Sequence, residues 1–112
     1  MEQHFNQEEV LQRLGGDAEL LQELLDYAQE DIPEYLASIE QAVQANNAEQ
    51  IQRSAHKMKG FARNLSFTAL AEYSLELEKA AGDPPDTLQA ILAKVKDESA
   101  NVQKLIGAER ES

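Results

Sequence analysis

The sequence predicts an all-α fold: an antiparallel four-helix bundle preceded by a short N-terminal capping helix. Three observations predict it. Apolar residues recur at three- and four-residue spacing along four long stretches, the period of a helix buried on one face. No stretch shows the apolar–polar alternation of a strand. Short clusters of Gly, Asn, Ser and Pro separate the stretches, so successive helices must fold back on one another. A chain of 112 residues that is 42% hydrophobic suffices for a single modest core.

Each element has its own signals. Residues 1–5 read as a flexible lead, and His4 within it is given no role. Asn6-Gln7-Glu8-Glu9 has the cap-then-glutamate pattern of a helix start. A helix over 7–14 turns Val10, Leu11 and Leu14 inward. Gly15-Gly16 stop it, and Asp17 caps the next. From 18 to 45, Leu21, Leu24, Leu25, Ala28, Ile32, Tyr35, Leu36, Ile39 and Val43 keep one face. Pro33 interrupts the backbone there, removing a hydrogen bond and crowding the preceding turn. Either Asp31 caps a second helix with Pro33 in its first turn, or one kinked helix runs through; the unbroken face favours the single helix.

Asn46-Asn47 end that helix, and Asn47 is placed to cap another over 48–63. Asn64-Leu65-Ser66 form a turn, with Ser66 as the N-cap of a helix over 67–81. That helix turns Phe67, Leu70, Ala71, Ser74, Leu77 and Ala81 inward, with Glu78 on the same face. Gly82-Asp83-Pro84-Pro85 break the chain. A last helix over 86–106 lines up Leu88, Ile91, Leu92, Val95, Val102 and Ile106, with Ser99 interrupting the stripe. Gly107 is a natural stop and 108–112 a polar tail, so the bundle domain is expected to span 6–107.

Composition excludes several functions. A net charge of −11 argues against a nucleic-acid partner, whose phosphates would be repelled. The absence of cysteine rules out disulfides, a thiol nucleophile and a cysteine metal site, and it suits a reducing cytoplasm. No apolar run approaches the roughly 18 residues of a membrane span, and the start lacks the regions of a signal peptide. There is no His-Glu-x-x-His, no Gly-rich phosphate loop and no Gly-x-Ser-x-Gly elbow. The adjacent acids Glu8-Glu9 and Glu30-Asp31 diverge on their helices and make no carboxylate pair or calcium loop. No enzyme, resident metal or cofactor is therefore expected.

One helix carries more than packing requires. At about 100° per residue, Ile51, Ala55, Met58, Ala62 and Leu65 form the core face of the helix over 48–63. His56, Gly60 and Arg63 project on the other side, beside Arg53 and Glu49, and Lys59 lies at the border. Four cations (Arg53, Lys57, Lys59 and Arg63) stand against Glu49 alone, a local net of +3 in an acidic chain. A glycine inside a helix costs roughly 0.5–1 kcal/mol relative to alanine, and Gly60 has no turn to justify it. Clearance for a large partner beside His56 is one reason to keep it. The plainer alternative is a surface helix with a chance histidine.

The segment Ala55-His56-Lys57-Met58-Lys59-Gly60, followed by Asn64-Leu65, resembles the signature of histidine-containing phosphotransfer (HPt) domains. That signature is Ala-His-x-hydrophobic-Lys-Gly with Asn-Leu-Gly-Ala a short way on. Leu70 and Leu77-Glu78 match its later leucines and Leu-Glu pair, and Leu14-Gly15-Gly16-Asp17 resembles the turn of one branch. The resemblance covers roughly residues 5–106. Ser66 and Phe67 depart from the pattern, which has a glycine and a small residue there.

The resemblance implies a phosphoryl carrier working through His56. A neutral imidazole is a nucleophile that can hold a phosphoryl group on nitrogen. Lys59, one turn on, is placed to stabilise the charge of the transferring group. Arg53, Lys57, Gly60, Phe61, Arg63 and Asn64 would meet the partner. Glu78 either snorkels at the edge of its face or accepts a hydrogen bond from the His56 ring and orients it; the resemblance favours the second. The implied partner is the receiver domain of a response regulator, or a hybrid sensor kinase, bringing Mg²⁺ and a phospho-aspartate. The working form would be a cytoplasmic monomer. Two alternatives stay open: a non-phosphorylated helical adaptor that uses the same basic helix, and the phosphotransfer module of a chemotaxis-type kinase.

Overall fold

The computed structural model describes residues 4–111, with side chains through Ala108; Met1–Gln3 and Ser112, in the expected lead and tail, lie outside the described residues. Five helices follow in order: α1 (Gln7–Arg13), α2 (Ala18–Gln44), α3 (Ala48–Asn64), α4 (Thr68–Lys79) and α5 (Pro85–Glu111). Among the described residues there is no strand. Helices α2 to α5 pack each against the next, α5 closes back onto α2, and α1 lies against α2. The result is the expected antiparallel four-helix bundle with a short preceding helix. At 1.5 Å per residue, the 27 residues of α5 account for most of the 43 Å long axis.

The caps read from the sequence are formed. The side chains of Asn6, Asp17 and Asn47 accept from the backbone N–H of Glu9, Leu20 and Gln50. Pro33 sits on the exposed face of an uninterrupted α2, so the single-helix alternative holds. The core consists of the predicted stripes: Leu25, Ile32 and Ile39 of α2, Ile51 and Met58 of α3, Leu70 and Leu77 of α4, and Leu88, Val95 and Val102 of α5 are all buried.

Three helices end the same way. Gly15, Asn46 and Ser66 have φ of 66°, 52° and 56°, the left-handed conformation that follows a helix C-terminus. Behind them Gly16, Asn47 and Phe67 donate back to the carbonyls of Leu11, Ala42 and Ala62 at 2.9, 3.2 and 2.8 Å. Ser66 is therefore not the N-cap of α4, as its residue type suggested, but the residue that terminates α3. Phe67 occupies the N-cap position and makes no side-chain cap.

Glycine would be the easy residue at Ser66, and serine needs compensation. Arg13 Nη2 donates to Ser66 Oγ at 2.6 Å, and that hydroxyl donates to the Glu9 carboxylate. Phe67, the second departure from the family pattern, is fully buried, with the Phe5 and Phe61 rings 5.2 and 6.0 Å away.

Both departures fall where the N-terminal segment docks. Asn6 N–H donates to the Ser66 carbonyl at 2.9 Å, and His4 Nδ1 lies 2.6 Å from Glu98 Oε2. His4 and Phe5, expected in a flexible lead, are thus fastened to the bundle, and His4 has a structural partner. Glu98, only 3% exposed, is a carboxylate on the inner face of α5 that the apolar stripe concealed; Asn101 also donates to it at 3.2 Å. Helix α5 runs through Gly107 rather than stopping there. Nothing after Gly107 opposes helix: the residues that follow are good helix formers.

Ser66→Ala keeps the left-handed backbone but removes both hydroxyl bonds, so it should lower stability by about 1 kcal/mol in urea unfolding. Ser66→Gly should cost less, because glycine relieves the backbone. Wild-type stability in the alanine variant would contradict this account of the turn.

Candidate functional site

Helix α3 supplies the site because its inner face is fully used. With Ile51, Ala55, Met58 and Ala62 buried, a residue offset by one position from Ala55 must point outward. His56 does, and its side chain is 65% exposed. From α4, Glu78 reaches it: His56 Nδ1 lies 3.0 Å from Glu78 Oε2. Glu78 packs at the α3–α4 seam with a side chain 17% exposed. It neither snorkels freely into water nor lies buried without a partner.

The second oxygen of Glu78 meets a cation. Lys59 Nζ stands 2.7 Å from Glu78 Oε1, and the lysine side chain is only 12% exposed. The contact is short but oblique, an ion pair rather than a well-directed hydrogen bond. One carboxylate therefore bridges the imidazole and the ammonium. The Lys59 contact is the chief cause that holds the Glu78 carboxyl below its ordinary range. Partial burial pushes the other way, and the His56 bond adds to the lowering. An ionised carboxylate only accepts, so the hydrogen between Glu78 and His56 sits on Nδ1. In the neutral ring the lone pair is then on Nε2, which points away from Glu78.

The expected partner-facing residues are distributed around this centre. A Cβ built on Gly60 would meet no atom within 4 Å. The glycine therefore answers no contact within the fold, and it leaves bare backbone facing solvent one turn from His56. Arg53 is paired with Glu49 at 2.9 Å. Lys57 lines a hollow between α2 and α3 with Asp31, Glu34 and Ser38. Arg63 is exposed on the opposite flank, near Glu72 of α4. Asn64 is exposed at the lower end of α3.

Phe61 differs from the expectation of a displayed contact. It is half-buried, with its ring 4.9 Å from that of Tyr35, and belongs mainly to the packing. Lys59, expected at the border of the helix faces one turn from His56, is held at the α3–α4 seam by Glu78. Its border position on the helix gave no sign of the α4 carboxylate opposite. The surface at His56 is a shallow depression edged by Glu49, Gln52, Arg53 and Glu78, a shape for a macromolecule rather than a small substrate. Among the described residues no group of three or more His, Cys, Asp or Glu is placed to hold a metal ion. Among them, too, no helix is long and apolar enough to cross a membrane.

Comparison with known proteins finds a family match and similar folds. The family model for the Hpt domain matches residues 19–105. The fold is similar to the crystal structure of histidine-containing phosphotransfer protein B from Pseudomonas aeruginosa PAO1. The TM-score is 0.85 and the identity 32%, over 96% of this chain and 95% of that one. It is also similar to the HPT domain of a sensor hybrid histidine kinase from Shewanella. There the TM-score is 0.79 and the identity 20%, over 94% of this chain and 92% of that one, a likeness of fold. No curated protein matches the chain.

The lowered Glu78 carboxyl sets the sign of a pH effect. Its contribution to stability is fully present above the ordinary value of 4.5 and is lost as pH falls through its own lower value. Wild type should therefore exceed Glu78→Gln by on the order of 1 kcal/mol at pH 7. The gap should narrow as pH falls below 4.5 in urea unfolding; a gap that widens below that pH would contradict the assignment.

Proposed function

Because the chain belongs to the Hpt domain family, whose activity is histidine phosphotransfer in two-component signalling, we propose that His56 is the residue that carries the phosphoryl group. The observation that carries this is the exposed imidazole whose Nδ1 is bonded to Glu78 and whose Nε2 is free. Hpt domains carry phosphoryl groups and work with receiver domains and hybrid kinases. We assign this chain the same role, with no ATP site or kinase activity of its own.

In the proposed reaction, Nε2 attacks the phosphorus of a receiver's phospho-aspartate. The N–P bond forms as the acyl O–P bond breaks, and the aspartate leaves as carboxylate. The Nδ1 proton stays where it is, and the ring becomes an N-phosphorylated imidazolium whose charge faces the Glu78 carboxylate. No proton need move, so the same path runs in reverse to a second receiver. Glu78 is a positioning residue: it holds the tautomer and fixes the ring angle. Lys59 holds Glu78 ionised. Because that contact is an ion pair rather than a directed hydrogen bond, the ammonium keeps charge and donors for phosphoryl oxygens.

Arg53, Lys57 and Arg63 attract an acidic receiver surface, Gly60 lets it approach, and Asn64 and the edge of Phe61 extend the contact. The divalent cation, Mg²⁺, comes with the receiver and its own acids. The core closes within one chain, which supports a monomer, and we place its work in the cytoplasm alongside the receivers.

Mixing the protein with a receiver labelled on its aspartate tests this. Wild type should take label that is stable in alkali and lost in acid. His56→Gln should fold normally and take none, whereas undiminished labelling of that variant would end the proposal. Lys59→Ala should slow transfer about tenfold, equivalent to about 1.4 kcal/mol in the barrier. An unchanged rate would remove Lys59 from the mechanism.

A further inference from the structure

One large apolar side chain takes no part in the core or in the site just described. Tyr27 is 64% exposed, against 38% and 37% for Leu20 and Leu105, the other exposed large hydrophobics among the described residues. A single exposed apolar residue is ordinary, but Tyr27 does not stand alone. Leu20, Leu24 and Tyr27 recur at helical spacing along one flank of α2. With Leu24 and Ala28, Tyr27 borders a hollow of about 320 Å³ whose far wall is Phe61, Asn64 and Leu65.

That hollow shares Asp31 and Tyr35 with a second one of about 380 Å³, which reaches Ser54 and Lys57. The two form a continuous groove between α2 and α3. It is aromatic and apolar at the Tyr27 end and polar at the Lys57 end, where Asp31 and Glu34 also lie.

We propose that Tyr27 is a specificity-determining contact for the receiver domain, anchoring it in the α2–α3 groove while His56 meets the phospho-aspartate. This inference rests on His56 being the acceptor. The fitting partner surface presents apolar side chains to Tyr27 and Leu24, and a basic group to Asp31 and Glu34. Reach permits this. In the α2–α3 hairpin His56 lies level with about residue 36, so Tyr27 is about 14 Å farther along α2. A standard interface covers about 800 Å² per partner, a disc about 16 Å in radius. Tyr27 also lies one helix across from His56, so a receiver of that size covers both when its footprint is shifted from His56 toward α2. A second copy of this chain fits the groove poorly: it would bring a net charge of −11 and the same two acids against them. An exposed tyrosine at the edge of an aromatic floor is the side-chain type that anchors interfaces at little entropic cost.

The test separates this inference from its premise. Purified receiver domains, phosphorylated with acetyl phosphate, are titrated against wild type, Tyr27→Ala and Tyr27→Phe, with circular dichroism to confirm folding. Tyr27→Ala should raise the receiver concentration for half-maximal transfer about tenfold, with the plateau rate within twofold of wild type. Tyr27→Phe should recover most of the loss. An unchanged half-saturation for Tyr27→Ala, with wild type labelled normally, overturns this inference alone. So does a concentration-dependent dimer of wild type that Tyr27→Ala abolishes without weakening transfer. Failure of wild type to take label from any receiver, or from phosphoramidate, which needs no receiver, overturns the His56 reading and this one together.

Discussion

A carboxylate at the seam of two packed helices must find counter-charge, and Glu78 finds it twice. Lys59 contacts one oxygen and His56 the other. All three side chains belong to the α3–α4 pair, so the chemistry rests on the packing of two helices rather than on a loop. In the proposed mechanism the lysine keeps the carboxylate ionised, the carboxylate keeps the proton on Nδ1, and the nucleophilic nitrogen is left outward. Removing any member changes what the others can do. The arrangement is also inexpensive in conformational terms: Lys59 and Glu78 are ordered before a partner arrives, and only the His56 ring is well exposed.

The α3–α4 pair is itself braced from below. The turn between the two helices is where this chain departs from the pattern it resembles, and the N-terminal segment docks on both departures. Ser66 holds the left-handed position through Arg13 and Glu9, and Phe67 receives the Phe5 ring. Phe67 in turn lies near Phe61, and Phe61 against Tyr35. A run of aromatic contacts thus links the N-terminal segment to the floor of the groove beside the histidine helix. His4 with Glu98 fastens the outer end of the same segment to α5. Capping residues, turn and the α2–α3 groove are thus joined by contacts.

How legible this was varied with the physics behind each feature. The helices were plain, because burying one face imposes a period that any window of the sequence displays. The stops at Gly15 and Asn46 were plain for the same local reason. Ser66 misled because two local preferences compete: serine favours N-caps, while the position demands a left-handed backbone, and the contacts that settle it lie more than fifty residues away. The link from His56 to Glu78 was visible only through the resemblance, since helical periodicity says nothing about which turn of a neighbouring helix lies opposite. The Lys59–Glu78 contact was not legible for the same reason. Glu98 was hidden inside an apolar stripe, and Tyr27 beside one. The outward histidine and the bare glycine could be found from α3 alone, but the bridging carboxylate needed two helices in register.

The account stands on the protonation pattern that Glu78 imposes on His56, and nitrogen-15 NMR of the histidine ring tests it most directly. The neutral ring should carry its hydrogen on Nδ1, and the phosphorylated protein should show one-bond phosphorus–nitrogen coupling at Nε2. A neutral ring protonated on Nε2, or coupling at Nδ1, would contradict the account.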